Sequence, residues 1–252
     1  MQIKGVFFDL YGTLLMYGDL ATAWTEWQRA FYKCLQDCGL ILSEESFAMY
    51  CDDFFERPEP QFPEDHLTVL ERRIKALGRE LGLALRAEEL WTTAVAIVNA
   101  WQLYVSLDPD TLPVLHALKS QKSLALISNF DHPPYVHSLL SALGLTGFFD
   151  SIVISGDVGV KKPDPRIFSF ALQQTQLQPH EVVYVGDSSV DVRGALAAGM
   201  CPIRIQRYEF DENYEFVDLK LNQPSPSRAI KESTGADART IATLPELIEL
   251  LQ

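Results

Sequence analysis

The 252-residue chain reads as an α/β protein, a Rossmann-like parallel sheet core with a four-helix bundle inserted after the first strand. Three observations predict this. Short Val-, Ile- and Phe-rich runs, each followed by turn residues and a helical pattern, recur at Ile3–Phe8, Leu124–Ser128, Ile152–Ser155, Val182–Val185, Pro202–Ile205 and Thr240–Thr243. Alternation of this kind marks buried parallel strands joined by helices. Roughly a hundred residues separate the first run from the second, far more than one βα crossover needs. Within them, Asp19–Cys38, Ser43–Glu56, Glu64–Leu81 and Ala87–Ser106 place apolar residues at spacings of three and four, the period of an amphipathic helix. The expected division is therefore residues 1–16 with 108–252 as the core and 17–107 as the inserted bundle.

In chain order, the first strand ends in DLYGTLL, an apolar run that stops at a carboxylate and a glycine turn. The bundle follows, with one Pro-rich connection at Arg57–Asp65, RPEPQFPED. Trp24, Trp27, Phe31, Trp91 and Trp101 lie at helical spacing and read as bundle core. After the fifth core strand, Tyr208–Asp237 interrupts the pattern; its aromatics alternate with acids around Asp211–Asn213, which suits a short hairpin or a surface loop. The last strand and a helix over Pro245–Leu251 close the chain.

Composition narrows the function. There are 21 Lys and Arg against 34 Asp and Glu, a formal net charge of −13. Such an excess of acid repels phosphate backbones and anionic lipid heads, so nucleic acid and membrane surfaces are not expected partners. Eight basic and fifteen acidic residues fall within 17–107, which puts over half of the negative charge on the bundle. Leu90–Leu107 and His132–Phe149 each run 18 residues without a formal charge. The first is broken by Thr92, Thr93, Asn99 and Gln102, and the second by Pro133, Pro134, Gly144 and Gly147, so neither reads as a membrane span. The start, MQIKGVFFDL, lacks the unbroken apolar stretch of a signal peptide, and the expected location is cytoplasmic. Cys34, Cys38, Cys51 and Cys201 then read as reduced thiols without zinc spacing. Small molecules remain as partners, and nothing in the sequence sets an oligomeric state.

Four clusters fall at the ends of strands, where open α/β sheets hold their ligands. FFDLYGTLL places Asp9 and then Thr13 after the first strand, and ISNFD places Ser128 and Asn129 after the second. VKKPDPRIF places Lys162 after the third, and VGDSSVD places Asp187 and Asp191 after the fourth. In type, order and position this set resembles the four motifs of the haloacid dehalogenase superfamily of hydrolases, and GDSSVDVRGALAAGM is similar to the family as well. The likeness covers Met1–Leu15 and Asp108 to about Ile205, and the bundle sits where the family places its helical cap of the first type.

The resemblance implies Asp9 as nucleophile, Lys162 as the charge that neutralises it, and Thr13, Ser128 and Asn129 as donors to the transferring group. It implies Mg²⁺ held by Asp9, the Tyr11 carbonyl, Asp187 and Asp191, with Asp191 acting through water or by orienting Lys162. Asp187 reads alternatively as a helix N-cap. Tyr11 departs from the family's phosphatases, which carry Asp there as acid and base; its 2-haloacid dehalogenases carry Tyr. Those dehalogenases need no metal, however, and have Ser then Asn where this chain has Asp187 and Ser188. An extra carboxylate facing Asp9 disfavours attack unless a cation separates them, so a Mg²⁺-dependent hydrolase of a small phosphate monoester is the first expectation. The alternatives are a metal-free 2-haloacid dehalogenase, with Arg29 as a candidate grip for the substrate carboxylate, and a phosphate- and metal-binding regulatory protein with little turnover.

Overall fold

The apolar runs do form strands, and in one direction. A computed structural model of the chain describes residues 2–60, 66–207 and 238–251. Strands β1 (Gly5–Phe8), β4 (Ser123–Ser128), β5 (Ser151–Ile154), β6 (Val182–Gly186), β7 (Cys201–Ile205) and β8 (Arg239–Ile241) make one sheet in the order β5-β4-β1-β6-β7-β8. Every pairing in it is parallel, with Phe8 opposite both Leu126 and Val185. Burial on both faces explains the unbroken apolar composition: Val6, Phe7, Phe8, Leu124, Ala125, Leu126 and Ile127 are all fully buried. One face packs Phe7, Ala125, Ile127 and Tyr184 against Ile167, Phe168 and Ala171 of α8 (Arg166–Thr175) and Ala195 of α9 (Ser189–Ala197).

β1 lies at the centre, with β4 and β5 to one side and β6, β7 and β8 to the other. Strand order therefore reverses at β1, and the crevice beyond its C-terminal end is where such sheets bind ligands. Asp9 is the first residue past that end.

Among the described residues the chain divides into two units, one of 2–16, 107–207 and 238–251 and the other of 17–60 and 66–106. The second unit holds α1 (Leu20–Asp37), α2 (Glu44–Cys51), α3 (Val69–Glu80) and α4 (Ala87–Gln102). Three of these starts are set by side-chain caps from Asp19, Ser43 and Thr68, the last in a capping box with Glu71. The core of this unit is aromatic: Phe31 is fully buried, with Trp27, Phe47 and Phe54 at centroid distances of 5.3, 5.2 and 5.3 Å. Trp27 and Trp101 are buried as core, whereas Trp91 is 46% exposed.

The structure departs from the sequence reading in several elements. α2 stops at Cys51 rather than Glu56, because the chain turns there to send Phe54 inward, and Arg73 donates to the carbonyls of Phe54 and Arg57. α4 stops at Gln102, and Val105–Leu107 forms a short strand, β3, paired with β2 (Leu15–Tyr17) in a separate two-stranded sheet. Three-residue strands are too short to show alternation. The start expected for α3 at Glu64 and the segment Tyr208–Asp237 lie outside the described residues. All four cysteines are free thiols, and no described helix is long and apolar enough to cross a membrane.

Candidate active site

The site grows from a single buried ammonium. Lys162 lies in the loop that precedes α8, and its side chain is 4% exposed. Its Nζ donates to Asp9 Oδ1 at 2.7 Å, to Asp191 Oδ1 at 2.7 Å and to the Tyr184 hydroxyl at 3.0 Å. Three protons meet three acceptors. The Lys162 backbone is held as well: its N–H donates to Asn129 Oδ1 at 2.8 Å, and Asn129 Nδ2 donates to its carbonyl at 3.0 Å. One Asn129 N–H and its amide oxygen thus hold this peptide, and its second N–H is the donor the sequence reading assigns to the transferring group. Lys161, just before it in the chain, is exposed.

Asp9, Asp187 and Asp191 each offer a carboxylate oxygen within 4.8 Å of the others. Asp191 is held from within the protein. Oδ1 accepts from Lys162, with the Tyr184 hydroxyl 3.1 Å away and its one proton facing both Asp191 and the Ile127 carbonyl, and Oδ2 accepts from the backbone N–H and hydroxyl of Ser188. This is a capping box, so the cap of α9 is Ser188, not Asp187 as one reading of the sequence had it. Asp187 faces Asp9 across the turn that follows the first strand. Gly12 forms the tip of that turn at φ 79°, and a Cβ there would lie 2.1 Å from Asp187 Oδ2. Only glycine supplies both the positive φ and the room.

Tyr11 is nearly buried, its ring stacked on Phe130 at 5.3 Å and 13°, and Phe130 stacks in turn on Tyr135 at 6.4 Å. Burial above all, then Tyr135 and Asp9, push its phenol well above the ordinary tyrosine range. It stays protonated at neutral pH and can donate a hydrogen bond, but it cannot take a proton from water. Thr13 is fully buried, and its hydroxyl has no hydrogen-bond partner among the described residues; Ser128 is buried at the end of β4.

Asp9 and Asp191, both buried, share the Lys162 ammonium, and the Asp187 carboxylate lies beside them. Burial pushes the Asp9 carboxyl up from its ordinary 3.8 to about 7; the Lys162 charge pulls it down and Asp191 pushes it up, and burial prevails. Burial alone would lower Lys162, yet Asp191 and Asp9 more than reverse this and hold it firmly charged. A hard divalent cation suits what remains, since Asp9 and Asp187 are oxygen donors with negative charge to neutralise. Asp191 lies within the same cluster but is engaged by Lys162 and Ser188.

Sequence reasoning missed Tyr184, which sits mid-strand in an apolar run and looked like core. Its hydroxyl is fully buried between Lys162, Asp191 and the Ile127 carbonyl. Its one available signal was a polar tip on a position otherwise taken by Val.

With this geometry the chain can be placed. Residues 3–199 match the haloacid dehalogenase-like hydrolases, and the protein belongs to that family. The glyceraldehyde 3-phosphate phosphatase of Methanopyrus kandleri is 32% identical over 233 residues, covering 88% of this chain and 94% of that one. The (S)-2-haloacid dehalogenase 1 of Pseudomonas sp. is 30% identical over 215 residues, covering 85% and 89%. Among solved structures, a HAD phosphatase from Thermococcus onnurineus shares the fold with a TM-score of 0.63 over 99% of this chain and 98% of that one, at 24% identity.

Two outcomes follow from the charge network. Tyr184→Phe leaves one Lys162 N–H without an acceptor, so urea unfolding should show a loss of about 1–3 kcal/mol. Asp9 holds its proton more tightly when folded than when unfolded, so without metal it lowers stability as pH rises from about 4 through about 7. Asp9→Asn removes that penalty. In chelator its melting temperature should match wild type near pH 4 and exceed it above pH 7; equal values at both would show that the carboxylate carries no such cost.

Proposed function

We propose that this hydrolase is a phosphatase of small phosphate monoesters that uses Asp9 as nucleophile and Mg²⁺ as cofactor. The observation that carries the reading is Asp187. A second carboxylate facing Asp9 opposes attack on an anionic 2-haloacid, whereas it completes a cation site for a phosphoryl substrate. Coverage of nearly the whole length of the Methanopyrus kandleri phosphatase supports the same choice.

In this reading Asp9 Oδ2 attacks phosphorus while Oδ1 stays on Lys162, and the ester oxygen leaves with the bonding pair. Water then cleaves the aspartyl phosphate, releasing inorganic phosphate and restoring the carboxylate. Lys162 stabilises Asp9 and the charge that builds on the transferring group, and Asp191 with Tyr184 aims the ammonium. Asn129 fixes the Lys162 backbone, and Ser128 and Thr13 lie close behind the crevice. Mg²⁺ would be held by Asp9, Asp187 and the Tyr11 carbonyl, and when bound supplies neutralising charge between the two carboxylates and the phosphoryl oxygens. Arg29 is not needed: its side chain is 55% exposed and pairs with Glu26 and Glu44 in the helical unit.

Tyr11 supports a second reading, metal-free dehalogenation. It offers no base for the attacking water and instead builds an apolar wall with Phe130 and Tyr135, in keeping with the likeness to the Pseudomonas dehalogenase. For a phosphatase the same residue costs general acid and base catalysis, a factor of about 10²–10⁴.

Tyr11→Asp separates the two. Assayed with and without Mg²⁺, a phosphatase should gain activity on a sugar phosphate, gain less on p-nitrophenyl phosphate, whose leaving group needs little protonation, and require the metal throughout. Turnover of 2-chloropropionate by the wild type in chelator, lost in Tyr11→Asp, would overturn the proposal in favour of the dehalogenase.

A further inference from the structure

The turn that carries Asp9 and Tyr11 is gripped from behind by an arginine that belongs to none of the four motifs. The neck of the turn is closed by Leu14 and Leu15, whose N–H groups both donate to the Leu10 carbonyl at 2.9 Å. At its tip the carbonyls of Gly12 and Thr13 both face the Arg207 guanidinium, accepting from Nη1 and Nη2 at 2.5 Å each. Arg207 stands two residues beyond β7, with its side chain only 12% exposed. The rest of its fork is taken by Asp108, whose Oδ2 accepts from Nε at 3.1 Å and from Nη2. Asp108 is itself tied to the turn, its N–H donating to the Leu14 carbonyl at 3.1 Å. A second arginine from β7, Arg204, donates from Nε to the Asp187 carbonyl at 3.0 Å.

We propose that Arg207 is a positioning residue of the active site: by fixing two successive peptide planes beyond Tyr11 it sets where Asp9 stands relative to Asp187, while Arg204 steadies the Asp187 turn. The physical need is plain. Gly12 is a permissive residue at a crowded turn, where a Cβ would run into the Asp187 carboxylate. The hydrogen bonds at the neck do not constrain the tip. Planar, bidentate recognition of two adjacent carbonyls together with a carboxylate is work for a guanidinium, and an ammonium cannot match it. A displacement of about 1 Å in such a turn is enough to cost on the order of 10² in rate. The inference holds for attack on phosphorus or on carbon, so it stands apart from the choice of substrate.

The test compares wild type with Arg207→Ala and Arg207→Lys, with Arg166→Ala as an exposed-arginine control. Hydrogen exchange, which needs no substrate, should show the amides of residues 10–15 exchanging about tenfold faster or more in both Arg207 variants, with α8 and α9 unchanged. With p-nitrophenyl phosphate or 2-chloropropionate, whichever the wild type turns over, kcat should fall on the order of 10² in Arg207→Ala while KM stays within about threefold. Guanidinium ion at a non-denaturing, millimolar concentration should restore about tenfold or more of that loss and leave wild type and Arg166→Ala unaffected. Unchanged exchange at residues 10–15 in a folded Arg207 variant, or a kcat within about threefold of wild type, overturns the proposal. So does lost activity in a folded Arg207→Ala that guanidinium fails to restore. If Arg207→Ala does not fold, the exchange and kcat criteria are applied to Arg207→Lys. An inactive wild type on both compounds counts against the proposed phosphatase and leaves the exchange result to decide this inference.

Discussion

Everything at the ligand-binding end of the sheet is arranged around one desolvated ammonium. Lys162 comes from the loop after β5, Asp9 from β1, Tyr184 and Asp191 from β6 and α9, and all three meet at its Nζ within 2.7–3.0 Å. A lysine this deep is costly unless each proton has an acceptor. Here each does, and the satisfied ammonium in turn fixes the relative positions of four chain segments. Asn129 extends the same logic to the backbone, so the loop carrying Lys162 cannot shift without breaking both of its hydrogen bonds to the Asn129 amide.

The network also sets the limit of what the chain can do unaided. Burial lifts the Asp9 carboxyl to about 7, with the Lys162 charge pulling it down and Asp191 pushing it up. A carboxyl half-protonated near neutral pH is a poor nucleophile. In the proposed phosphatase, added positive charge beside Asp9 and Asp187 would restore it. Tyr11 pulls the other way: its buried, stacked ring gives shape and apolarity where proton transfer would be useful.

Much of this was legible before any coordinates, for identifiable reasons. Buried parallel strands are apolar without alternation, so the core strands stood out, and the polar residues that interrupt them at their C-terminal ends, Asp9, Ser128 and Asp187, stood out with them. The bond between Asp191 and Lys162 was expected, whereas the backbone role of Asn129 was less legible, because it is decided by a partner 33 residues away. Tyr184 was hidden because a strand position reports its ring and not its hydroxyl. Arg207 was hidden because its acceptors are backbone carbonyls 195 and 194 residues away, which no side-chain pattern records. β2 and β3 were missed for want of length, and the end of α2 because tertiary demand for Phe54 in the aromatic core overrode local helical periodicity.

The central claim is that Asp9, held by Lys162, forms the covalent bond to the transferring group, and a chemical trap tests it most directly. Wild type mixed with a phosphate ester and Mg²⁺, then quenched with acid and reduced with borohydride, should yield homoserine at residue 9 on peptide mass spectrometry, because an acyl phosphate is reduced where a free carboxylate is not. Asp9→Asn should yield none. An unmodified Asp9 in enzyme quenched during steady turnover of that ester, with the same treatment reducing a model acyl phosphate in parallel, would contradict the account.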